Sequence, residues 1–199
     1  MLSLANSSQY LKDMDVIETF ERSLQHIGLD SFINLAVESS LYPGTNLKQD
    51  FLKASYREYQ RDCLALAEIV TRLGADVEFD VSAAQTACML CRIGELSLLR
   101  LMQLWLDQGQ DLDEATAETI LDTYSARAGN RIKSQRNIPN VIRGRIGAVY
   151  LLPPGTVRKD PVVMRIAGLL HTQDRDQELP RLLARVGLTG SKAESYLQS

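Results

Sequence analysis

The stretch LKASYREYQRDCLALAEIVTRL, residues 52–73, decides how this chain folds. Its apolar, aromatic and cysteine side chains recur at alternating spacings of four and three residues, at Leu52, Tyr56, Tyr59, Cys63, Leu66, Val70 and Leu73. That period places them on one face of an α-helix. We therefore predict an amphipathic helix over 52–73. Its apolar face, here called the seam, either packs in the core of a bundle or forms a homodimer interface.

Helical periodicity continues on both sides of this stretch. It predicts further helices at 14–28, 31–41, from Ser82 onward, 111–128, 139–149, 161–171, 176–186 and 191–198. Val77, Phe79 and Val81 alternate with acids as a strand would, but so short and solitary a stretch is better interpreted as an extended link. The predicted fold class is all-α: a multi-helix bundle with a small C-terminal helical subdomain.

Breaks in this pattern suggest three domains. An acidic helical bundle over 1–128 ends near Gly129 and Asn130, where a glycine is expected to stop the helix. A basic linker and short-helix segment follows over 129–160, interrupted by Pro153-Pro154-Gly155. A C-terminal unit of three helices completes the chain over 161–199.

Composition predicts a cytoplasmic protein with no membrane partner. Apolar residues make up 45% of the chain and charged residues 24%, which is ordinary globular usage. The three cysteines are an odd number, whereas secreted scaffolds more often carry paired ones. The N-terminus lacks the basic start and apolar run of a signal peptide, and no apolar stretch is long enough to cross a bilayer.

The cysteines and histidines predict no metal or cofactor. Cys88 and Cys91 form a CxxC pair, but a structural zinc needs four ligands, and the other candidates, Cys63, His26 and His171, lie on separate elements. Thioredoxin-type chemistry needs the pair at the start of a helix, whereas here it falls within a helical pattern. We interpret Cys88 and Cys91 as buried core thiols.

No catalytic residue emerges either, so we expect no enzymatic activity. Neither histidine stands in a recognisable arrangement with a nucleophile. The run Gly144-Arg145-Ile146-Gly147 resembles part of a phosphate loop but lacks the third glycine, the preceding strand and a P-loop lysine.

Charge is distributed very unevenly along the chain. From Met1 to Asp122 there are 20 acidic and 9 basic side chains, although the whole chain carries a formal charge of only −3. The next 37 residues, 123–159, contain no acid and eight bases. We predict that these bases contact a nucleic acid or another anion: Arg127, Arg131, Lys133, Arg136, Arg143, Arg145, Arg158 and Lys159.

The basic segment is also compatible with roles that need no nucleic acid. The early acids could neutralise it within the fold, or it could bind an acidic protein partner; membrane headgroups come last, because the stretch lacks a strong apolar moment. The C-terminal pattern from Gln177 to Leu197 is compatible with a helix-turn-helix, but it favours a helical hairpin that closes the core.

These observations favour a non-enzymatic, cytosolic nucleic-acid-binding or transcription-regulatory protein. The alternative is a helical adaptor or chaperone that binds a protein partner.

Overall fold

A computed structural model describes residues 47–107, 109, 111–135, 137–173 and 177–198. These residues form helices and no strand, so the all-α prediction is confirmed. None of the helices described combines the length and the apolar character that a bilayer crossing requires. The helices predicted at 14–28 and 31–41 lie outside the described residues. The described helices are α1 (Asp50–Gly74), α2 (Val81–Met89), α3 (Ile93–Asp107), α4 (Glu114–Gln135), α5 (Asn140–Tyr150), α6 (Lys159–His171), α7 (Glu178–Arg185) and α8 (Ser191–Gln198).

The chain forms two compact units, and its path crosses between them. In the described residues, the first unit comprises 47–61 and 92–139, and the second comprises 62–91 and 140–198. Helix α1 contributes its first half to one unit and its second half to the other.

The first unit is built from the start of α1 with α3 and α4. Leu52 is fully buried in a cluster with Leu99 and Met102 of α3 and Leu121 of α4, and Tyr59 packs against its edge. Farther along α1, the remaining apolar members of the predicted seam are also buried. The interpretation of residues 52–73 as a core helix is therefore confirmed.

Helices α3 and α4 approach each other closely where two glycines meet. A Cβ atom on Gly94 would lie 2.1 Å from the Ser125 carbonyl oxygen, and one on Gly129 would lie 3.4 Å from the Gly94 nitrogen. The prediction that a helix ends near Gly129 is wrong, because α4 continues to Gln135. Gly129 serves close helix packing instead of helix termination.

The second unit packs the later part of α1 with α2, α5 and α6. Its fully buried residues include Val70, Ala84, Ile142 and Ile166, one from each of these helices. Helices α5 and α6 also touch at a glycine: a Cβ atom on Gly168 would lie 2.1 Å from the Val149 carbonyl oxygen.

A short link joins α1 to α2; the prediction of an extended link over 77–81 is confirmed except at Val81, which begins α2. The last residue of the link, Asp80, has an extended backbone and caps α2, with its Oδ1 accepting a hydrogen bond from the Ala83 amide at 3.0 Å. The sequence pattern places the start of this helix at Ser82, but the helix begins one residue earlier, at Val81. Asp80 is the cap because its side chain reaches an amide that has no partner within the helix.

The last two helices attach to the end of α1. Lys192 of α8 forms an ion pair with Asp76 at 2.7 Å, and the Tyr196 hydroxyl donates to the same carboxylate at 2.9 Å. The Arg72 guanidinium lies over the Tyr196 ring, 5.1 Å from its centre. Leu183 of α7 is fully buried. These contacts fit a helical hairpin that closes the core. Lys192 lies on the helix that would enter the DNA groove in a helix-turn-helix, but here it is paired with Asp76.

Candidate anion-binding cleft

The basic residues predicted from sequence fall into both units. Arg127 and Arg131 are exposed on α4 in the first unit, where Lys133 is half-buried. Arg136 lies outside the described residues. The other four bases belong to the second unit: Arg143, Arg145, Arg158 and Lys159.

Arg145 does not face solvent, contrary to the expectation from its place in the basic segment. Its side chain is only 3% exposed, and its Nη2 atom donates to Asp160 Oδ2 at 2.7 Å. Asp80 Oδ2 lies 4.0 Å from the same nitrogen. A guanidinium can be buried at tolerable cost when carboxylates compensate its charge in this way.

The local sequence explains why this arginine is buried. Ile142, Ile146 and Val149 form the inward stripe of α5, and all three are buried. Arg145 lies three residues after Ile142 and one before Ile146, so it falls on the same face of the helix. The sequence contains this spacing, but an interpretation based on the net charge of the segment does not take it into account.

Arg145 lines a cleft of about 240 Å³ at the point where α5 and α6 begin. Arg158 and Asp160 contribute the other charged side chains, and Asn140 adds an amide. A Cβ atom on Gly144 would meet nothing within 4 Å, so the helix backbone is open to the cleft there. The cleft can therefore admit a small group to a wall that contains two arginines.

The charges lining this cleft leave an excess of positive charge. Asp160 Oδ2 receives Arg145 at 2.7 Å and also lies 3.7 Å from Arg158 Nη2, so two arginines share one carboxylate. Arg158 is largely exposed. The N-termini of α5 and α6, where the helix dipoles are positive, both lie at the cleft. The Arg158 side chain, which precedes α6, makes no capping hydrogen bond to that helix.

Cys88 and Cys91 are buried, as predicted, and so is Cys63; none of the three forms a disulfide. The Sγ atoms of Cys63 and Cys91 lie 3.7 Å apart. Burial raises the pKa of the Cys88 thiol to about 12. Among the described residues, no group of three His, Cys, Asp or Glu side chains is placed to hold a metal ion.

Of the two histidines, His171 is described and ends α6. Its Nε2 atom lies 3.1 Å from Asp62 Oδ1. It pairs one of the early acids with the C-terminal half of the chain and is not among the residues lining the cleft. His26 lies outside the described residues.

Comparison with known proteins gives one finding. A family model described as HDOD domain matches residues 1–150, well over half of the chain, while no curated protein and no solved structure matches it. This family is associated with HD-GYP and cyclic di-GMP signalling proteins, so the prediction of a nucleic-acid-binding or transcription-regulatory protein is wrong. The chain belongs to the HDOD domain family.

Proposed function

We propose that this chain is a non-enzymatic signalling protein that binds a phosphate-bearing small molecule in the Arg145 cleft. Cyclic di-GMP is the first ligand to test, because signalling by this dinucleotide is associated with the family. The observation that supports the proposal is a buried arginine, held by Asp160, in the wall of a cleft whose second arginine is exposed.

The chemistry of the cleft favours a phosphate group. A guanidinium carries five N–H donors in a planar fork that matches phosphate oxygens, and it stays charged at any physiological pH. Asp160 holds the Arg145 side chain in place, so little side-chain entropy remains to be lost on binding. Arg158 is free to turn toward a ligand because it is exposed and only loosely paired, at 3.7 Å.

The size of the cleft limits what it can enclose. At about 240 Å³ it is smaller than the pockets of roughly 300–1,000 Å³ that enclose whole drug-sized ligands. We therefore expect it to hold one phosphate and the group next to it, with the remainder of a dinucleotide outside.

The test is calorimetric titration of the purified chain with cyclic di-GMP at low salt, with inorganic phosphate as competitor. We expect Arg158→Ala to weaken binding about tenfold or more, as the loss of a hydrogen bond to a charged group does. The matched control is Arg131→Ala, which removes an exposed arginine from the first unit and should leave the affinity unchanged. Equal losses in both variants, or no binding by the wild type, would refute the proposal.

A second measurement tests the non-enzymatic part. The ligand recovered from a long incubation with the chain and divalent metal should be intact by chromatography. Turnover that exceeds a protein-free blank would show that the chain is an enzyme.

A further inference from the structure

The connection between α5 and α6 displays apolar side chains to solvent. Seven large apolar side chains are exposed in the described part of the chain; Tyr150 ends α5, and Leu151 and Val157 lie in the connection that follows it. Leu151 is 72% exposed and Val157 is 90% exposed, the two highest values in this set. Contact with a partner would remove the side chains of Leu151 and Val157 from water.

The backbone of this connection is held in place at its centre. The Thr156 amide and hydroxyl both donate to the Pro153 carbonyl oxygen, at 3.3 Å and 2.7 Å. Gly155, at the third position of this four-residue turn, has a φ of +75°, which a type II turn requires and glycine supplies without strain.

Two arginines hold the connection from outside the turn. Arg165 Nη1 donates to the Tyr150 carbonyl oxygen at 2.7 Å, and the Arg185 side chain donates to the carbonyl oxygen of Thr156. The exposed apolar side chains therefore stand on an ordered backbone, which lowers the entropy lost when a partner binds.

The charges around these side chains are predominantly positive. Arg158 and Lys159 directly follow Val157, and both are exposed. The nearby acids are engaged: Asp160 with Arg145 at 2.7 Å and Glu178 with Arg165 at 2.7 Å. No acid occurs between residues 123 and 159. The apolar centre is thus bordered by cations and lacks free carboxylates in its own segment.

We infer that residues 150–159 form a docking surface for an acidic, amphipathic segment of a partner protein. Its apolar side chains would cover Leu151 and Val157, and its carboxylates would meet Arg158 and Lys159. Exposed apolar anchors within a rim of complementary charge are the usual composition of a protein-binding site. This inference does not depend on the ligand proposed for the cleft.

The test begins with an unbiased probe. A displayed library of random peptides is selected on the immobilised wild-type chain, and the enriched peptides are then measured individually by fluorescence anisotropy. We expect enriched peptides to combine Asp or Glu with Leu, Ile or Phe. Enrichment of basic or uncharged peptides, or of none, would overturn the inference.

Paired substitutions then locate the binding. Leu151→Ser with Val157→Ser should raise the Kd of the selected peptides about tenfold or more, because these two anchors lie at the centre of the surface. The control, Leu64→Ser with Leu101→Ser, replaces two leucines that are each 59% exposed elsewhere and should change the Kd less than about twofold. Equal effects of the two pairs would refute the docking surface.

Two further arms separate this inference from its rivals. Cyclic di-GMP titration of the Leu151 and Val157 double variant should match the wild type, since neither residue lines the cleft. Vesicles of phosphatidylglycerol and phosphatidylcholine should not retain the chain on sedimentation. Retention on vesicles that the double substitution abolishes would assign the surface to lipid and overturn the protein partner.

Discussion

The nearest counter-charge to the buried guanidinium of Arg145 is the carboxylate of Asp160. The Arg145 side chain is only 3% exposed, so water compensates little of its charge, and the Asp160 carboxylate lies 2.7 Å away. Asp80, at 4.0 Å, is too distant to replace that contact. The stability of the second unit should therefore be sensitive to the charge at position 160.

We predict that Asp160→Asn destabilises the chain by about 2 kcal/mol, below the roughly 3–5 kcal/mol seen when one partner of a buried pair is removed entirely. The asparagine keeps the shape and one hydrogen-bond acceptor but leaves Arg145 without its main counter-charge. Urea unfolding followed by circular dichroism measures the change. Glu68→Gln is the control, because this exposed acid of α1 should shift stability by no more than about 0.5 kcal/mol. Equal stability of the two variants would contradict the importance of the pair.

At the scale of helices, the contact between α3 and α4 rests on the missing side chain of Gly94. A methyl group there would lie 2.1 Å from a backbone oxygen, which cannot turn aside as a flexible side chain can. The helices would have to separate, and their shared cluster around Leu99 and Leu121 would loosen.

We predict that Gly94→Ala lowers the free energy of unfolding by about 2 kcal/mol, within the range for overpacked cores. Gly147→Ala is a matched control on α5, since its new methyl group would meet nothing within 4 Å. It should leave stability equal or raise it by up to about 1 kcal/mol, because alanine favours helix. Thermal or urea unfolding compares the two, and a neutral Gly94→Ala would show that the close approach is dispensable.

The elements that sequence could predict are those whose signal is local. The seam from Leu52 to Leu73 repeats over many turns, and α1 appears within two residues of the expected bounds. The role of Gly129 could not be predicted, because it depends on Gly94, which lies 35 positions earlier in the chain. From sequence alone, a glycine near the end of a helical pattern predicts the end of the helix. Its role in helix packing becomes evident only when the neighbouring helix is located.

The candidate site was predictable only in part for the same reason. Arg145 and Arg158 both belong to the stretch 123–159, which contains eight bases and no acid. Their difference in burial, and the acid that joins them, come from the packing of α5 on α6. The cleft itself belongs to no single stretch of sequence.

For the molecule as a whole, early acids neutralise later bases within the second unit. Asp76 and Asp80 precede residue 123, and they lie 2.7 Å from Lys192 and 4.0 Å from Arg145 respectively. Within the basic segment, however, the nearest partner of Arg145 is Asp160, at 2.7 Å, and not an early acid. Arg158 and Lys159 remain exposed beyond these pairs.

Titrating groups in both units limit the pH range in which the fold is stable. On the acid side, hydrogen bonds from Lys192 and Tyr196 lower the pKa of Asp76, and one from Lys48 lowers the pKa of Asp107. A lowered pKa contributes stability above the unfolded value, about 3.9, and this contribution disappears as pH falls through the folded pKa.

On the alkaline side the sign is reversed. Burial raises the pKa of the Cys88 thiol to about 12, and burial together with the Asp76 hydrogen bond raises the pKa of Tyr196 to about 12. Each contribution is complete below the unfolded pKa, roughly 8.5 for cysteine and 10 for tyrosine, and is lost as pH rises toward the folded value.

We therefore predict that stability is greatest between about pH 4 and pH 8.5 and declines on both sides. Urea midpoints measured across the pH range test this. Tyr196→Phe should lower the neutral midpoint, because the hydroxyl no longer donates to Asp76, and should make the alkaline decline shallower by removing one titrating group. The acid limb should also flatten, since the Asp76 carboxylate loses one of its two side-chain hydrogen-bond donors and its pKa rises toward the unfolded value. A maximum outside this window, or a Tyr196→Phe profile parallel to that of the wild type, would contradict the role given to these groups.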